Sequence, residues 1–149
     1  MTKDVLVTIS GKRMMGIQSE DIALIIPGIY ARNGKVHTVM YEEPAEGMDG
    51  KIKNTIRIGG GCMVITKEGL ANARMSFLNS DRRTLTCYST PFGDFMIGIR
   101  TNDISIAESR DKLHVSVDYS MDVGEEHLTD CNIDIDICSR GKSDLHLTQ

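Results

Sequence analysis

The sequence predicts an all-β protein folded as a single antiparallel closed barrel. Residues 113–123 give the clearest evidence, because apolar or aromatic residues occupy every odd position and polar residues every even one. Successive side chains of a strand point to opposite faces, so this alternation predicts a strand with one face on a core and one in water. Similar short segments recur between turn-forming residues, which is typical of a sandwich or barrel. Long strands joined mostly by hairpins favour an up-and-down barrel, since closure removes exposed strand edges.

Turn residues divide the first half of the chain into a series of predicted strands. Asn33-Gly34 between two apolar runs is the strongest hairpin signal, and further turns are predicted at the glycines 59–61 and at Glu68-Gly69. Pro27-Gly28 lies inside an apolar run and predicts a bulge or sharp bend, because proline cannot donate to a ladder. Residues 44–51 are polar and predict a loop. The predicted strands are 5–13, 20–32, 35–43, 52–58, 62–67 and 71–78.

The second half of the chain repeats this organisation. A loop is predicted at 79–83 and a turn at Pro91-Phe92-Gly93. We find no linker and no internal repeat, so residues 1–149 are interpreted as a single domain whose polar tail, from about residue 140, is expected to fray. The predicted strands are 84–89, 95–102, a short weak segment at 104–107, 113–123 and 130–138.

Composition excludes several classes of function. Of the 149 residues 40% are hydrophobic, which is enough for a core, and the net charge of −4 opposes nucleic-acid binding, which needs a basic surface. No apolar run approaches the roughly 18 residues that span a bilayer, and the first residues do not resemble a signal peptide. We therefore expect neither a nucleic-acid nor a membrane partner.

The cysteines indicate a reducing compartment. Cys62, Cys87, Cys131 and Cys138 contain no CxxC pair, and the last two, seven residues apart on one predicted strand, would face opposite sides of it. Buried thiols without a disulfide are the simpler interpretation. We expect a cytoplasmic protein.

Five short motifs, in order along the chain, resemble the YwiB-like family of uncharacterised bacterial proteins. The resemblance extends from about Val5 to Ile137 and implies a calycin-like barrel of roughly eight to ten strands, similar in shape to lipocalins. It implies no catalytic residues. The sequence carries Lys67 in a turn where the family pattern expects arginine. The motifs are Tyr30-x-x-Asn33-Gly34-Lys35-Val36, Tyr41-Glu42-Glu43, Met75-x-Phe77, Tyr88-x-Thr90-Pro91-Phe92-Gly93 and Tyr119-x-Met121.

Motifs of catalysis, metal binding and cofactor binding are not recognisable. Asp130, Asn132, Asp134 and Asp136 are spaced like the start of a calcium loop, but the required glycine and glutamate are missing, and a solvated strand face explains them. The four histidines lack partners at zinc-ligand spacing, the glycine run lacks a phosphate-loop lysine, and nothing marks a nucleophile elbow. We therefore predict no catalytic residue, no metal and no cofactor.

Polar residues at positions that otherwise point inward are the remaining candidates for a site. Buried polar groups must find hydrogen-bond partners or water. In a packed barrel these residues would bond to one another, whereas in a hollow barrel they would line a pocket for a small molecule. Both interpretations stay open. The candidates are Tyr30, Tyr41, Glu43, Asn54 and Tyr119.

Glu43 is the most informative candidate, because a carboxylate is rarely buried without a partner. Arg57 and Arg100 are possible partners, although their positions point outward. Pro44 ends the strand and places Glu43 near a rim, where it could bind a polar ligand head or anchor the loop 44–51.

Three functions follow from these observations, in decreasing order of support. The first is binding of a small, partly apolar ligand, the second is a scaffold that binds an unknown protein partner, and the third is an enzyme whose site is assembled across strands. Fold alone does not decide between them.

Overall fold

The structure is an all-β barrel, as the alternating pattern predicts. The computed structural model describes residues 1–15, 18–44, 50–80, 82–123 and 126–140. The described residues form ten strands, which are β1 (Asp4–Met15), β2 (Gln18–Asn33), β3 (Val36–Pro44), β4 (Lys51–Gly59), β5 (Cys62–Gly69), β6 (Ala73–Phe77), β7 (Thr84–Thr90), β8 (Gly93–Glu108), β9 (Lys112–Val123) and β10 (Glu126–Ser139). Of the predicted tail, which begins at about residue 140, residues 141–149 lie outside the described part, whereas the Arg140 N–H donates to the Asp4 carbonyl.

All strands belong to one antiparallel sheet, and most neighbours along the chain are neighbours in space. The order is β6-β5-β4-β3-β2-β1-β10-β9-β8-β7, so β1 and β10 pair and bring the two halves of the chain together. The end strands β6 and β7 meet at a seam, where Asn72 and Ser89 form an isolated bridge. The sheet is therefore a nearly closed barrel, and the prediction of barrel closure is confirmed.

The core fills the barrel with side chains from alternate positions of the strands. In β9 the odd-numbered Leu113, Val115 and Val117 are completely buried, as the alternation predicts. The same alternation continues around the barrel, because residues directly opposite each other on neighbouring strands point to the same face of the sheet. Val7 and Ile137, for example, are paired and both point inward. The largest completely buried side chains include Phe77, Ile56, Ile58, Met63, Ile99 and Ile135.

One long strand replaces two predicted segments. Residues 95–102 and 104–107 both belong to β8, and the register with β9 shifts between Thr101 and Asp103. The extra residue, Asn102, reverses the phase of the strand, so that Ile99 and Ile104 both face the core. The bulge explains why the apolar positions change from odd to even there.

Of the bulge or sharp bend predicted at Pro27-Gly28, the bulge is absent from the pairing of β2 with β1. The pairing of β1 with β2 runs without a shift through Leu6–Pro27 and Val5–Gly28. The irregularity lies on the other side of the strand, where the β2–β3 ladder ends at Ile29–Met40.

The two ends of the barrel differ, and we name them after the residues they hold. The His37 end carries the β2–β3 and β8–β9 turns, and the Glu43 end carries the β7–β8 turn. Within the described part of the chain, no helix is long and apolar enough to cross a membrane.

Candidate functional site

A hydrogen-bonded ring of three polar side chains lies on the inner face of β3, β4 and β5, toward the Glu43 end. The Lys67 ammonium donates to Glu43 Oε1 at 2.9 Å and to Asn54 Oδ1 at 2.8 Å. Asn54 Nδ2 donates to the same Glu43 oxygen at 2.9 Å. Each of the three side chains therefore contacts both of the others, and we call this group the Glu43 ring.

Strand register places the members of the Glu43 ring side by side. The β4–β5 turn at Gly60 and Gly61, both with positive φ, pairs Gly59 with Cys62 and thereby sets Asn54 opposite Lys67. On the other side, Tyr41 of β3 lies directly opposite Asn54. The inward positions of three adjacent strands therefore carry a phenol, an amide and an ammonium group in one row.

Burial and charge shift the pKa values of two of these groups. Burial alone would raise the pKa of Glu43, but the hydrogen bonds from Lys67 and Asn54 and the charge of Lys67 outweigh it and lower the pKa below 4.5. The pKa of Tyr41 is raised well above its ordinary value of 10.0, first by burial and then by the Glu43 charge. At neutral pH Glu43 is therefore a carboxylate and Tyr41 a neutral phenol.

The wall of the barrel opens beside Tyr41. The Tyr30 N–H donates to Lys3 O on the β1 side, and N–H groups alternate along a strand, so the N–H of residue 27 would face β3. Proline has no N–H there, and the β2–β3 ladder stops at Ile29. Beyond this point the two strands bound a cleft of about 640 Å³, which we call the β2–β3 cleft.

The lining of the β2–β3 cleft is amphipathic. Its apolar part comes mainly from β2 and β3, with Tyr41 among the lining residues and the strand termini contributing charged groups. The apolar side chains are Ile26, Pro27, Ile29 and Met40, and the charged residues are Asp4, Glu42, Lys51, Lys53 and Arg140.

The Tyr41 hydroxyl faces accessible space. It makes no hydrogen bond to any residue that the structure describes. Among those residues, no buried side-chain oxygen or nitrogen lacks a hydrogen-bond partner. The hydroxyl oxygen must therefore be reachable by solvent, although only 7% of Tyr41 is exposed.

A second polar cluster spans the His37 end. The Tyr30 hydroxyl lies 2.6 Å from Nδ1 of the buried His37, and His37 Nε2 lies 3.5 Å from the Glu108 carboxylate. Arg32 Nη1 donates to the same carboxylate at 3.0 Å. Because Glu108 belongs to β8, these contacts cross the barrel and cover its core at this end.

The five residues predicted from sequence thus divide into three groups. Tyr41, Glu43 and Asn54 come together, whereas Tyr30 belongs to the cluster at the His37 end. Tyr119 packs edge-on against Phe77, with ring centroids 5.0 Å apart.

Sequence reasoning missed Lys67, which is the cationic partner of Glu43 in place of Arg57 or Arg100. The available signal was its phase, because Lys67 shares the inward parity of Met63 and Ile65 on β5. The hypothesis that Glu43 anchors the loop 44–51 concerns residues 45–49, which lie outside the described part. The partners of Glu43 that the structure describes are the side chains of Asn54 and Lys67.

The acidic face of β10 lies next to a histidine and a lysine of β9. Asp136 Oδ1 lies 2.7 Å from His114 Nδ1 and 3.7 Å from Lys112 Nζ. No group of three or more His, Cys, Asp or Glu side chains that could hold a metal ion is found among the described residues.

Fold and family agree on the class of protein. The ten-stranded barrel with its two polar clusters is a β-barrel protein, and residues 7–135 match a family described as a domain of unknown function (DUF1934). The chain belongs to this family.

A sequence comparison and a structure comparison both find a YwiB protein of Bacillus subtilis. The uncharacterised β-barrel protein YwiB of Bacillus subtilis (strain 168) is 26% identical over 97 residues, which are 65% of this chain and 66% of that protein. The chain thus matches slightly less than two thirds of that relative's length. The crystal structure of the ywiB protein from Bacillus subtilis matches with a TM-score of 0.82 at 19% identity and covers 93% of both chains. These matches confirm the family and the fold.

Proposed function

We propose that this protein binds a small, partly apolar molecule in the β2–β3 cleft, as a cytoplasmic, non-catalytic, calycin-like barrel. The observation that carries the proposal is the Tyr41 hydroxyl. It belongs to a nearly buried residue that lines an accessible cleft, and it makes no hydrogen bond to the described residues. A bound molecule can offer that hydroxyl the partner that the protein does not.

The dimensions and lining of the cleft support this proposal. Small-molecule sites are typically concave, of about 300–1,000 Å³, and mostly apolar with a few placed polar groups. The β2–β3 cleft has about 640 Å³ and combines apolar side chains with one phenol and a charged rim.

The Glu43 ring lies next to Tyr41 and stabilises the strands that carry it. Its ammonium and carboxylate neutralise each other and share the Asn54 amide, so the ring fixes the register of β3, β4 and β5 next to Tyr41. Fixed neighbours hold the Tyr41 side chain in one position, which reduces the entropy lost on binding.

A fluorescence titration with N-phenyl-1-naphthylamine tests the proposal. The chain contains no tryptophan, so the emission of this apolar probe is measured against a low background. We expect saturable binding of one probe per chain.

Ile29→Gln, in the cleft, should weaken binding by about fivefold through loss of apolar contact. Ile25→Gln is the matched control, because Ile25 is 67% exposed on the same strand but does not line the cleft. Equal effects of the two variants, or no saturable binding, would contradict the proposal.

A protein-interaction role is the second candidate, and the β7–β8 hairpin favours it. Phe92 at the turn is 85% exposed, and Leu85 and Met96 are 60% and 50% exposed. Exposed apolar surface of this kind on one hairpin is typical of contact sites. Sedimentation velocity of the wild type and of Phe92→Asp tests it for self-association: a mass above the monomer that is lost in the variant would favour this candidate.

A further inference from the structure

We propose that the molecule bound in the β2–β3 cleft is an anionic amphiphile, namely a carboxylate on an aliphatic chain. This inference rests on the proposed function and adds the chemical class of the ligand. It comes from the arrangement of charges around an apolar floor.

The rim of the cleft carries a cationic excess although the protein is acidic overall. Three cationic residues, Lys51, Lys53 and Arg140, line the cleft together with two acidic ones, Asp4 and Glu42. The net charge of the whole chain is −4. A local positive surface on an acidic protein favours an anion over a neutral or cationic ligand.

Pairing within the rim leaves Lys53 as the cation available to a ligand. Lys51 Nζ lies 3.6 Å from Glu42 Oε2, so these two charges offset each other. Lys53 lies opposite Glu42 on β3 and Glu68 on β5, yet it makes no ion pair with any residue that the structure describes. Its ammonium can therefore donate to a ligand carboxylate without breaking an existing ion pair.

The floor of the cleft suits an aliphatic chain. Ile26, Ile29 and Met40 provide flexible or branched apolar surface, and Pro27 leaves the β2 edge without a donor there. An aliphatic tail along this floor brings its head to the charged rim. Tyr41 also lines the cleft, and its phenol stays protonated because burial raises its pKa.

Displacement of N-phenyl-1-naphthylamine by three ligands of one chain length tests the inference. The competitors are dodecanoate, dodecanol and dodecyltrimethylammonium, each kept below its aggregation limit. We expect dodecanoate to bind about tenfold more tightly than dodecanol, since hydrogen bonds to charged groups exceed neutral ones. The cationic competitor should be the weakest.

Lys53→Met should reduce the ratio of the dodecanol Kd to the dodecanoate Kd by about threefold or more. The Kd of dodecanol itself should stay unchanged. Lys35→Met is the matched control, because Lys35 is an exposed lysine in the β2–β3 turn at the other end of the barrel. The preference should also fall with added salt.

The possible outcomes separate this inference from the proposed function. If dodecanol competes as strongly as dodecanoate, or if Lys53→Met and Lys35→Met behave alike, the anionic class is overturned while a binding cleft remains. If the probe itself does not bind saturably, the proposed function fails and takes the inference with it. If only vesicles that contain anionic lipid compete, the ligand is a membrane headgroup and the free amphiphile is overturned.

Discussion

The completely buried Asn54 carboxamide accepts a hydrogen bond of 2.8 Å from the Lys67 ammonium and donates one of 2.9 Å to the Glu43 carboxylate. Lys67 itself closes the ring with a 2.9 Å bond to Glu43. Removal of any member leaves the other two short of a partner in a partly buried place. Leaving a buried polar or charged group unpaired lowers the free energy of unfolding by more than the complete pair raises it.

Lys67→Met should therefore destabilise the protein by about 2 kcal/mol, because the Glu43 charge loses its cation and the Asn54 oxygen loses its donor. Lys51→Met is the matched control. The Lys51–Glu42 pair is exposed, with 72% and 60% of the two side chains accessible, and should change stability by no more than about 0.5 kcal/mol. Urea denaturation at neutral pH measures both. Equal losses in the two variants would show that the ring has no special energetic role.

The pH dependence of stability should report the lowered pKa of Glu43. A carboxyl group whose pKa is lower in the folded than in the unfolded state adds stability above its unfolded pKa. This contribution is lost as the pH falls through the folded pKa. The difference in urea midpoint between wild type and Glu43→Gln should thus stay constant from about pH 7 to 5 and shrink toward about pH 3. A difference that grows on acidification would contradict this assignment.

Tyr30→Phe should destabilise the His37 end by about 1–2 kcal/mol, since it removes the hydroxyl that pairs with a buried imidazole nitrogen. The ring of Tyr30 stays in place in this variant, so the effect isolates the hydrogen bond. Tyr88→Phe serves as the control, because the Tyr88 hydroxyl makes no hydrogen bond to the described residues. Thermal unfolding of both variants measures the effect, and a loss of similar size in Tyr88→Phe would contradict the interpretation.

The strands could be predicted from the sequence, because each strand is recognised by the alternation of apolar and polar residues within its own segment. The phase of β9 and the turn after β2 are examples, and both are confirmed. The bulge at Asn102 was missed for a related reason. The change of phase between Ile99 and Ile104 is visible in the sequence, but it also fits two separate strands.

The candidate site required long-range register, which the sequence defines only where a tight turn connects the strands. The β4–β5 turn is tight, so the Asn54–Lys67 pair could have been derived from it. The connection between β3 and β4 is longer, and no turn geometry fixes Glu43 relative to Asn54. The β2–β3 cleft could not be predicted from the sequence either. Pro27 shows that one hydrogen bond of the ladder is missing, but not which neighbouring strand lacks it.

The seam between β6 and β7 should be the first part of the barrel to open. Besides the Asn72–Ser89 bridge, it is held by threonine side chains: the Arg74 amide donates to Thr86 Oγ1 at 3.3 Å, and Thr84 Oγ1 donates to the Ser76 carbonyl at 3.4 Å. The ladders on both sides of β9 are much longer. Amide hydrogen exchange measured by NMR should therefore be faster for Arg74 than for Val115 or Val117.

Thr86→Val tests this account of the seam directly. Valine keeps the shape of threonine but cannot accept the hydrogen bond from the Arg74 amide. We expect the exchange of that amide to accelerate by about fivefold, as for loss of one hydrogen bond of about 1 kcal/mol, while the exchange of Val115 stays unchanged. If the Arg74 amide is equally protected in this variant and in the wild type, the Thr86 hydroxyl does not hold the seam. If the Arg74 amide of the wild type is as protected as the amides of β9, the seam is not the first part to open.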